Sequence, residues 1–195
     1  MKVRSTMEKY NYVYEPNQDS LAKDLIKIYQ DFPIDGVKYL DLNPVYQNSE
    51  ARTQMLMHCV QALQDVPDFD YIACIESRGF LLGSLIAHIM DKGIVLVRSK
   101  PGRLPGDKVS IKHTLEYGDG QMEVQMGTGK VLIFDDVVAT GGTATAAYDC
   151  LREAGYTPMA AMFLVELTYL PCELYHGDEL PTHSILKYGG ETWEK

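Results

Sequence analysis

The chain has 195 residues and a formal net charge of −9 at neutral pH, with 46% hydrophobic and 23% charged residues. This length and composition predict one globular domain over residues 1–195 with a substantial buried core. The negative charge argues against a nucleic-acid partner or a membrane-surface partner, because both usually require a basic face.

The cysteine spacing and the N-terminal residues indicate where the protein works. The four cysteines are far apart and form no C-x-x-C pair, which is typical of reduced thiols in the cytoplasm. The N-terminus mixes charged and polar residues, unlike a signal peptide, and the longest apolar run, 80–90, is too short to span a bilayer. We therefore expect a soluble cytoplasmic protein.

Hydrophobic periodicity predicts two helices and an irregular segment before residue 64. Apolar residues at helical spacing predict a helix over 20–30, and a second stripe predicts another over 49–63. Between them, residues 32–46 contain two prolines and a glycine, so we expect an extended loop with a short strand.

From residue 71 onward, short apolar runs alternate with helical segments. Buried strands are predicted over 71–75, 94–97, 130–134 and 159–167, with a short final strand over 184–188. Helices are predicted over 80–90, buried on all sides, and over 143–154, ending at Gly155. This alternation of apolar strands with helices predicts an α/β fold, a parallel twisted sheet flanked by helices on both faces.

The stretch IFDDVVATGGTATAA, residues 133–147, carries the clearest chemical signal. Asp135 and Asp136 follow the apolar strand, and Ala139-Thr140-Gly141-Gly142-Thr143 form the turn into the next helix. Ligands bind beyond the carboxyl ends of strands in such sheets, and a helix N-terminus favours phosphate. Two carboxylates would repel a phosphate unless they hold hydroxyls or a metal, and a ribose diol supplies hydroxyls. We therefore predict a ribose 5-phosphate site, the alternative being an ordinary tight turn.

VLIFDDVVATGGT resembles the phosphoribosyl-pyrophosphate (PRPP) binding signature of the type I phosphoribosyltransferases. Further stretches, FPIDGVKYLDLNPV, DYIACIESRGFLLG, VRSKPGRLPG, LEYG and LVEL, are similar to the adenine-specific members of that family. The resemblance extends over about residues 32–167 in the family's order. It implies the type I phosphoribosyltransferase fold with a small N-terminal hood over about residues 32–48.

The interval 98–123 is too polar and too long for an ordinary connection. A disordered linker is one interpretation, whereas the family resemblance implies a mobile lid that excludes water from the site. Arg98, Lys100 and Arg103 lie in this interval, and their charges suit a pyrophosphate group.

The same resemblance implies a reaction in which PRPP and adenine give AMP and pyrophosphate, as in purine salvage. It implies Mg²⁺, held mainly through PRPP or pyrophosphate, and a homodimer. A type I phosphoribosyltransferase for hypoxanthine, guanine or orotate is the nearest alternative. A non-catalytic PRPP-binding regulator is another, although such proteins usually add a DNA-binding domain and a basic face.

Residue roles also follow from the resemblance. Asp135 and Asp136 match the acids that bind the ribose hydroxyls, and residues 139–143 match the loop around the 5-phosphate. The pyrophosphate loop is matched by Glu76, Ser77, Arg78 and Gly79, with Arg78 on the leaving group. The family often has a non-proline cis peptide in this loop.

The base-binding and proton-transfer residues are likewise assigned by resemblance. Glu116 matches the lid glutamate, which takes up or relays the proton displaced as adenine is ribosylated, and Tyr117 would help to seat the lid. The residues expected around adenine are Lys38 and Leu40, through their backbone groups, with Tyr39 nearby and Val137 against the ring. Leu40 stands where relatives commonly have arginine.

Overall fold

The computed structural model describes residues 21–115, 118–172 and 180–194. It begins with helix α1 (Leu21–Leu25) and strand β1 (Lys27–Tyr29), which pairs antiparallel with β2 (Tyr39–Asp41). The prediction of one helix over 20–30 is therefore wrong in its second half, because the backbone from Lys27 onward pairs with β2.

Two helices follow this small sheet. Helix α2 (Asn43–Gln47), which the sequence analysis did not predict, has a proline in its first turn. Helix α3 (Ser49–Ala62) confirms the second predicted helix, and the Asn48 side chain caps it by accepting the N–H groups of Glu50 and Ala51. These helices carry the chain from the predicted hood to the main sheet.

The remaining elements confirm the predicted alternation and add one hairpin. In chain order they are β3 (Tyr71–Ile75), α4 (Gly79–Met90), β4 (Gly93–Val97), β5 (Lys108–Leu115), β6 (Gly118–Gln125), β7 (Gly129–Val138), α5 (Gly142–Glu153), β8 (Tyr156–Leu167) and β9 (Thr182–Tyr188). The main sheet has the strand order β4-β3-β7-β8-β9, and every neighbouring pair is parallel. The predicted parallel α/β fold is confirmed.

Both faces of the sheet are covered, as predicted. Alternate residues of one strand belong to different cores: Ile72 belongs to the core that includes residues of α1, α3 and α4, and Ala73 to the core that includes residues of α5. The helix α4 is not buried on all sides, however, because Leu81 is 50% exposed and Leu85 is 37% exposed. None of the helices in the described ranges combines the length and apolarity needed to cross a bilayer.

The interval 98–123 contains the antiparallel hairpin β5–β6 rather than a featureless linker. Met122 and Val124 of β6 are fully buried in the core that α5 covers. The base of the hairpin is thus part of the folded body of the protein. The sequence analysis missed these strands because their remaining residues are largely polar.

Candidate active site

Asp135 and Asp136 lie inside β7, since that strand continues to Val138 beyond the predicted end at Phe134. Asp136 is only 2% exposed, and its backbone N–H donates to Oδ1 of Asp135 over 2.8 Å. Burial, followed by the negative charge of Asp136, raises the pKa of Asp135 well above its ordinary value. The strand therefore places two interacting carboxyl groups near its carboxyl end.

A cation and a hydroxyl from two other elements converge on Asp136. Nε of Arg78 lies 2.8 Å from Oδ2 of Asp136, and the Tyr46 hydroxyl donates to the same oxygen over 2.9 Å. Burial lowers the pKa of Arg78, but the charge of Asp136 together with smaller effects of Tyr39, Tyr46 and Asp135 outweighs burial, and the pKa is raised overall. Burial and Asp136 also raise the pKa of Tyr46. Tyr46 therefore stays a neutral donor and Arg78 a cation.

Arg78 also connects this carboxylate to the predicted hood. Its Nη1 donates to the Tyr39 hydroxyl over 2.9 Å, and its guanidinium carbon lies 5.3 Å from the centroid of the Tyr39 ring. The Tyr39 ring packs edge-on against Phe32 at a centroid distance of 5.0 Å. Residues of four elements thus meet around Arg78: β2, α2, the start of α4 and β7.

The loop 76–79 leads from β3 into α4, next to the acids of β7. Its Glu76–Ser77 peptide is cis, as the family resemblance implied. A Cβ atom on Gly79 would lie 3.0 Å from Oδ1 of Asp135 and 3.0 Å from the Phe134 carbonyl oxygen. Glycine therefore allows α4 to begin in close contact with the acidic end of β7.

The Glu76 side chain binds the segment that follows β4. Its Oε1 lies 3.0 Å from Nη2 of Arg98, and its Oε2 accepts the backbone N–H of Ser99 over 2.9 Å. Arg98 is partly buried, whereas Lys100 and Arg103 are exposed in the following loop. Of the three predicted pyrophosphate cations, one is thus paired with a carboxylate of the neighbouring loop.

The predicted turn 139–143 joins β7 to α5, but its last two residues, Gly142 and Thr143, already belong to the helix. Gly141 has a φ of +87° and caps the helix, which begins at Gly142. Because the cap is a glycine, it has no side chain to occupy the N–H groups of the first helical turn. These groups, with the partial positive charge of a helix N-terminus, suit a phosphate.

The predicted base-binding residues include one partner of Arg78, Tyr39, and chain neighbours of its partners: Lys38 and Leu40 flank Tyr39, and Val137 follows Asp136. Leu40 is only 3% exposed, side chain and backbone together; it packs in the core and pairs with Ile28 of β1. Nζ of Lys38 donates to the Gly190 carbonyl over 2.6 Å and lies 5.6 Å from the centroid of the Tyr169 ring. Val137 is partly buried next to the acids. Glu116 and Tyr117 lie outside the described residues.

Sequence reasoning missed two residues that shape this region. Tyr46 binds Asp136 from the short helix α2, and Glu123, 1% exposed on β6, binds the loop that carries Lys100 and Arg103. Neither residue belongs to a local motif. The only local signal for Glu123 is an acid between two apolar residues, Met122 and Val124, in an otherwise polar stretch.

The donor set around β7 fits a metal carried by a ligand better than a resident metal. Within the described ranges, no group of three or more His, Cys, Asp or Glu side chains is arranged to hold an ion. Asp135 and Asp136 are two carboxylates, and Mg²⁺ is commonly held by one or two carboxylates together with substrate phosphates and water.

Comparison with known proteins agrees with this geometry. Residues 50–169 match the family model of the phosphoribosyl transferase domain. The chain is 38% identical over 174 residues to an adenine phosphoribosyltransferase of Prochlorococcus marinus, covering 87% of this chain and 99% of that protein. The chain therefore belongs to the phosphoribosyltransferase family, and within that family to the adenine phosphoribosyltransferases.

Solved structures give the same result. The adenine phosphoribosyltransferase of Thermoanaerobacter pseudethanolicus superposes with a TM-score of 0.78 at 34% identity, covering 86% of this chain and 98% of that one. The enzyme of Saccharomyces cerevisiae, solved with adenine and an imino-altritol bisphosphate, gives 0.75 at 30% identity and covers 85% and 96%. The type I phosphoribosyltransferase fold is thereby confirmed, and the chain is a pentosyltransferase.

Proposed function

We propose that the protein transfers the 5-phosphoribosyl group of PRPP to adenine, producing AMP and pyrophosphate in purine salvage. The observation that carries this proposal is the convergence at the end of β7. There, Asp135 and Asp136, the glycine-capped start of α5 and the Arg78 guanidinium form adjacent parts of one site. Hydroxyl acceptors, a phosphate-binding turn and a cation match the three chemical parts of PRPP.

Each part of the substrate has a group suited to it. The carboxylates of Asp135 and Asp136 accept hydrogen bonds from the ribose hydroxyls, and the turn 139–143 donates N–H groups to the 5-phosphate. Arg78 neutralises charge on the pyrophosphate, whose oxygens also attract Lys100 and Arg103. The side chain of Glu76 is an anion, so its loop binds pyrophosphate through backbone groups, while Glu76 itself positions Arg98 and Ser99.

Mg²⁺ bound together with PRPP would neutralise part of the charge that develops on the departing pyrophosphate. Asp135 and Asp136 are the residues of this chain that would contact it. The raised pKa of Asp135 reflects its burial first and the neighbouring charge of Asp136 second, and a cation or a set of hydroxyl donors would stabilise such a pair of acids.

The chemical step exchanges one bond at C1 of the ribose for another. The bond from C1 to the pyrophosphate oxygen breaks with both electrons leaving on oxygen, and a ring nitrogen of adenine supplies the pair for the new C–N bond. The transition state resembles an oxocarbenium ion, which water would intercept, so the part of the segment 98–123 beyond its anchored base covers the site. Glu116 takes up or relays the proton that adenine loses.

Adenine is recognised beside the Arg78 contact. The backbone groups of Lys38 and Leu40 read the edge of the purine, while Tyr39 and Val137 contact its faces. One observation supports this assignment: the Lys38 ammonium is bound to the Gly190 carbonyl, so the backbone is the part of Lys38 left for the ligand. A site built on backbone hydrogen bonds rejects a purine with the wrong edge more strongly than an apolar slot.

The protein acts as a homodimer in the cytoplasm. Support for association comes from an apolar surface formed by Leu81 and Leu85 of α4 with Ile94 and Leu96 of the edge strand β4, all 37–50% exposed. The register places Ile94 beside Ile72, on the sheet face that α4 covers, so the two pairs adjoin. Buried thiols at Cys59, Cys74 and Cys150 suit a reducing compartment.

One experiment tests the proposal against its competitors. The protein is incubated with PRPP, Mg²⁺ and adenine, hypoxanthine, guanine or orotate in turn, and nucleotide and pyrophosphate are quantified. AMP formed with adenine alone supports the proposal. Turnover with another base identifies a different phosphoribosyltransferase, and PRPP binding without turnover identifies a regulator.

A further inference from the structure

Glu123 is a buried carboxylate whose main partners are backbone N–H groups of the loop that follows β4. It is 1% exposed on β6, and its carboxylate accepts three successive backbone N–H groups. Gly102 donates to Oε2 over 3.0 Å, while Arg103 and Leu104 donate to Oε1 over 3.1 and 2.8 Å. Three consecutive amides directed at one side chain fix the backbone of this segment.

Further contacts hold the same carboxylate ionised. Nζ of Lys108 lies 3.5 Å from Oε2, and the Ser110 hydroxyl donates to that oxygen over 3.4 Å. Burial raises the pKa of Glu123, but the N–H donors and Lys108 outweigh it, so the pKa is lowered overall. A buried anion with this many donors is an organising centre of the loop.

The loop is held at its start as well. The backbones of Arg98 and Glu123 form a bridge with two hydrogen bonds of 2.9 Å, and the Ser99 N–H donates to Glu76 of the pyrophosphate loop. Lys100 lies between these two attachments, and Arg103 is itself one of the amides bound by Glu123. Their side chains are exposed, so their placement depends on the backbone beneath them.

We propose that Glu123 is a positioning residue for the reaction: by binding the amides of residues 102–104 it holds Lys100 and Arg103 where they meet the pyrophosphate group of PRPP. This inference rests on the proposed function. It assigns to Glu123 no contact with the substrate, and it predicts an effect on pyrophosphate-bearing ligands that AMP does not share.

The test compares the affinities of Glu123→Gln for PRPP and for AMP by calorimetry with Mg²⁺. The amide keeps the shape of the side chain but directs an NH₂ group at backbone donors. Because hydrogen bonds to charged groups are strong, we expect the dissociation constant for PRPP to rise about tenfold and that for AMP to change less than about twofold. Glu153→Gln, at an exposed position of α5, makes the same charge change and should leave both constants unchanged.

A double-mutant cycle tests whether Glu123 acts through the cations. The double variant Lys100→Ala, Arg103→Ala should itself bind PRPP more weakly. Adding Glu123→Gln to that background should raise the dissociation constant for PRPP by less than about a further twofold. Full additivity, equal losses for PRPP and AMP, or wild-type PRPP affinity in the Lys100/Arg103 variant would each overturn the proposal. Failure of wild-type protein to bind PRPP at all would instead overturn the proposed function.

Amide exchange in wild-type protein provides a measurement that does not depend on how Glu123→Gln folds. The N–H groups of Gly102, Arg103 and Leu104 should exchange more slowly than that of Gly106 in the same loop. Equal exchange rates would show that the carboxylate does not hold this backbone, and would contradict the proposal directly.

Discussion

Replacing Tyr46 with phenylalanine removes one hydroxyl from the buried network at the end of β7. The ring keeps its volume, so the change is confined to the 2.9 Å hydrogen bond donated to Asp136. A hydrogen bond to a charged group contributes about 1.5–3 kcal/mol to stability. Asp136 keeps Arg78 as a partner, but its carboxylate is 2% exposed, so water does not readily replace the lost donor.

For a chain of this size, that loss corresponds to a melting temperature lower by about 3–12 °C. Differential scanning calorimetry and urea unfolding of the ligand-free protein measure it. Tyr29→Phe is the matched control, because the Tyr29 side chain is 48% exposed and its variant should melt with the wild type. A Tyr46→Phe protein within about 1 °C of wild type would refute the argument that this hydroxyl stabilises the buried carboxylate.

Three further predictions concern the acids of the site and its loop. Asp135→Asn combined with Asp136→Asn should lower the affinity for PRPP about tenfold or more in calorimetric titrations, because two charged acceptors for the ribose hydroxyls are lost. Unchanged affinity would contradict their role. Glu116→Ala should lower kcat by about 10²–10⁴-fold while PRPP affinity stays near wild type, and an unchanged kcat would remove its acid–base assignment. Because the pKa of Glu123 in the folded protein lies below its ordinary 4.5, its ionised form stabilises the fold at higher pH, and this contribution is lost as the pH falls through the lowered value. Unfolding free energies should therefore fall less steeply with acid in Glu123→Gln than in wild type, and parallel curves would show that the carboxylate contributes nothing.

The main sheet could be predicted from the sequence because its signals are local. The strands β3, β7 and β8 each contain a continuous apolar run, and Gly155, at a φ of +100°, follows α5 as predicted. Strand β1 could not be predicted in this way. Ile28 and Tyr29 have helical spacing, but their backbone pairs with β2, which lies about ten residues later.

The sequence pattern also could not predict which apolar residues are exposed. A helix that is apolar all round is ordinarily a buried one, yet Leu81 and Leu85 of α4 face outward. The pattern cannot tell a buried helix from one that leaves an apolar surface for a partner. The same holds for Ile94 and Leu96 on the edge strand.

The candidate site divides in the same way between local and non-local signals. The acids at 135 and 136 and the turn 139–143 belong to one continuous motif, so their chemistry could be inferred before any fold was known. Tyr46 joins Asp136 across 90 positions, and Glu123 joins Arg103 across 20. No local sequence spacing predicts either contact, because the residues are brought together only by the folded sheet and hairpin.

The most direct test of the whole account is a single-turnover reaction with enzyme in excess over PRPP, in the presence of adenine and Mg²⁺. We expect AMP and pyrophosphate to appear at the same rate and in equal amounts, without ribose 5-phosphate, because the site excludes water. PRPP that is bound but not consumed, or consumed to ribose 5-phosphate instead of AMP, would contradict it.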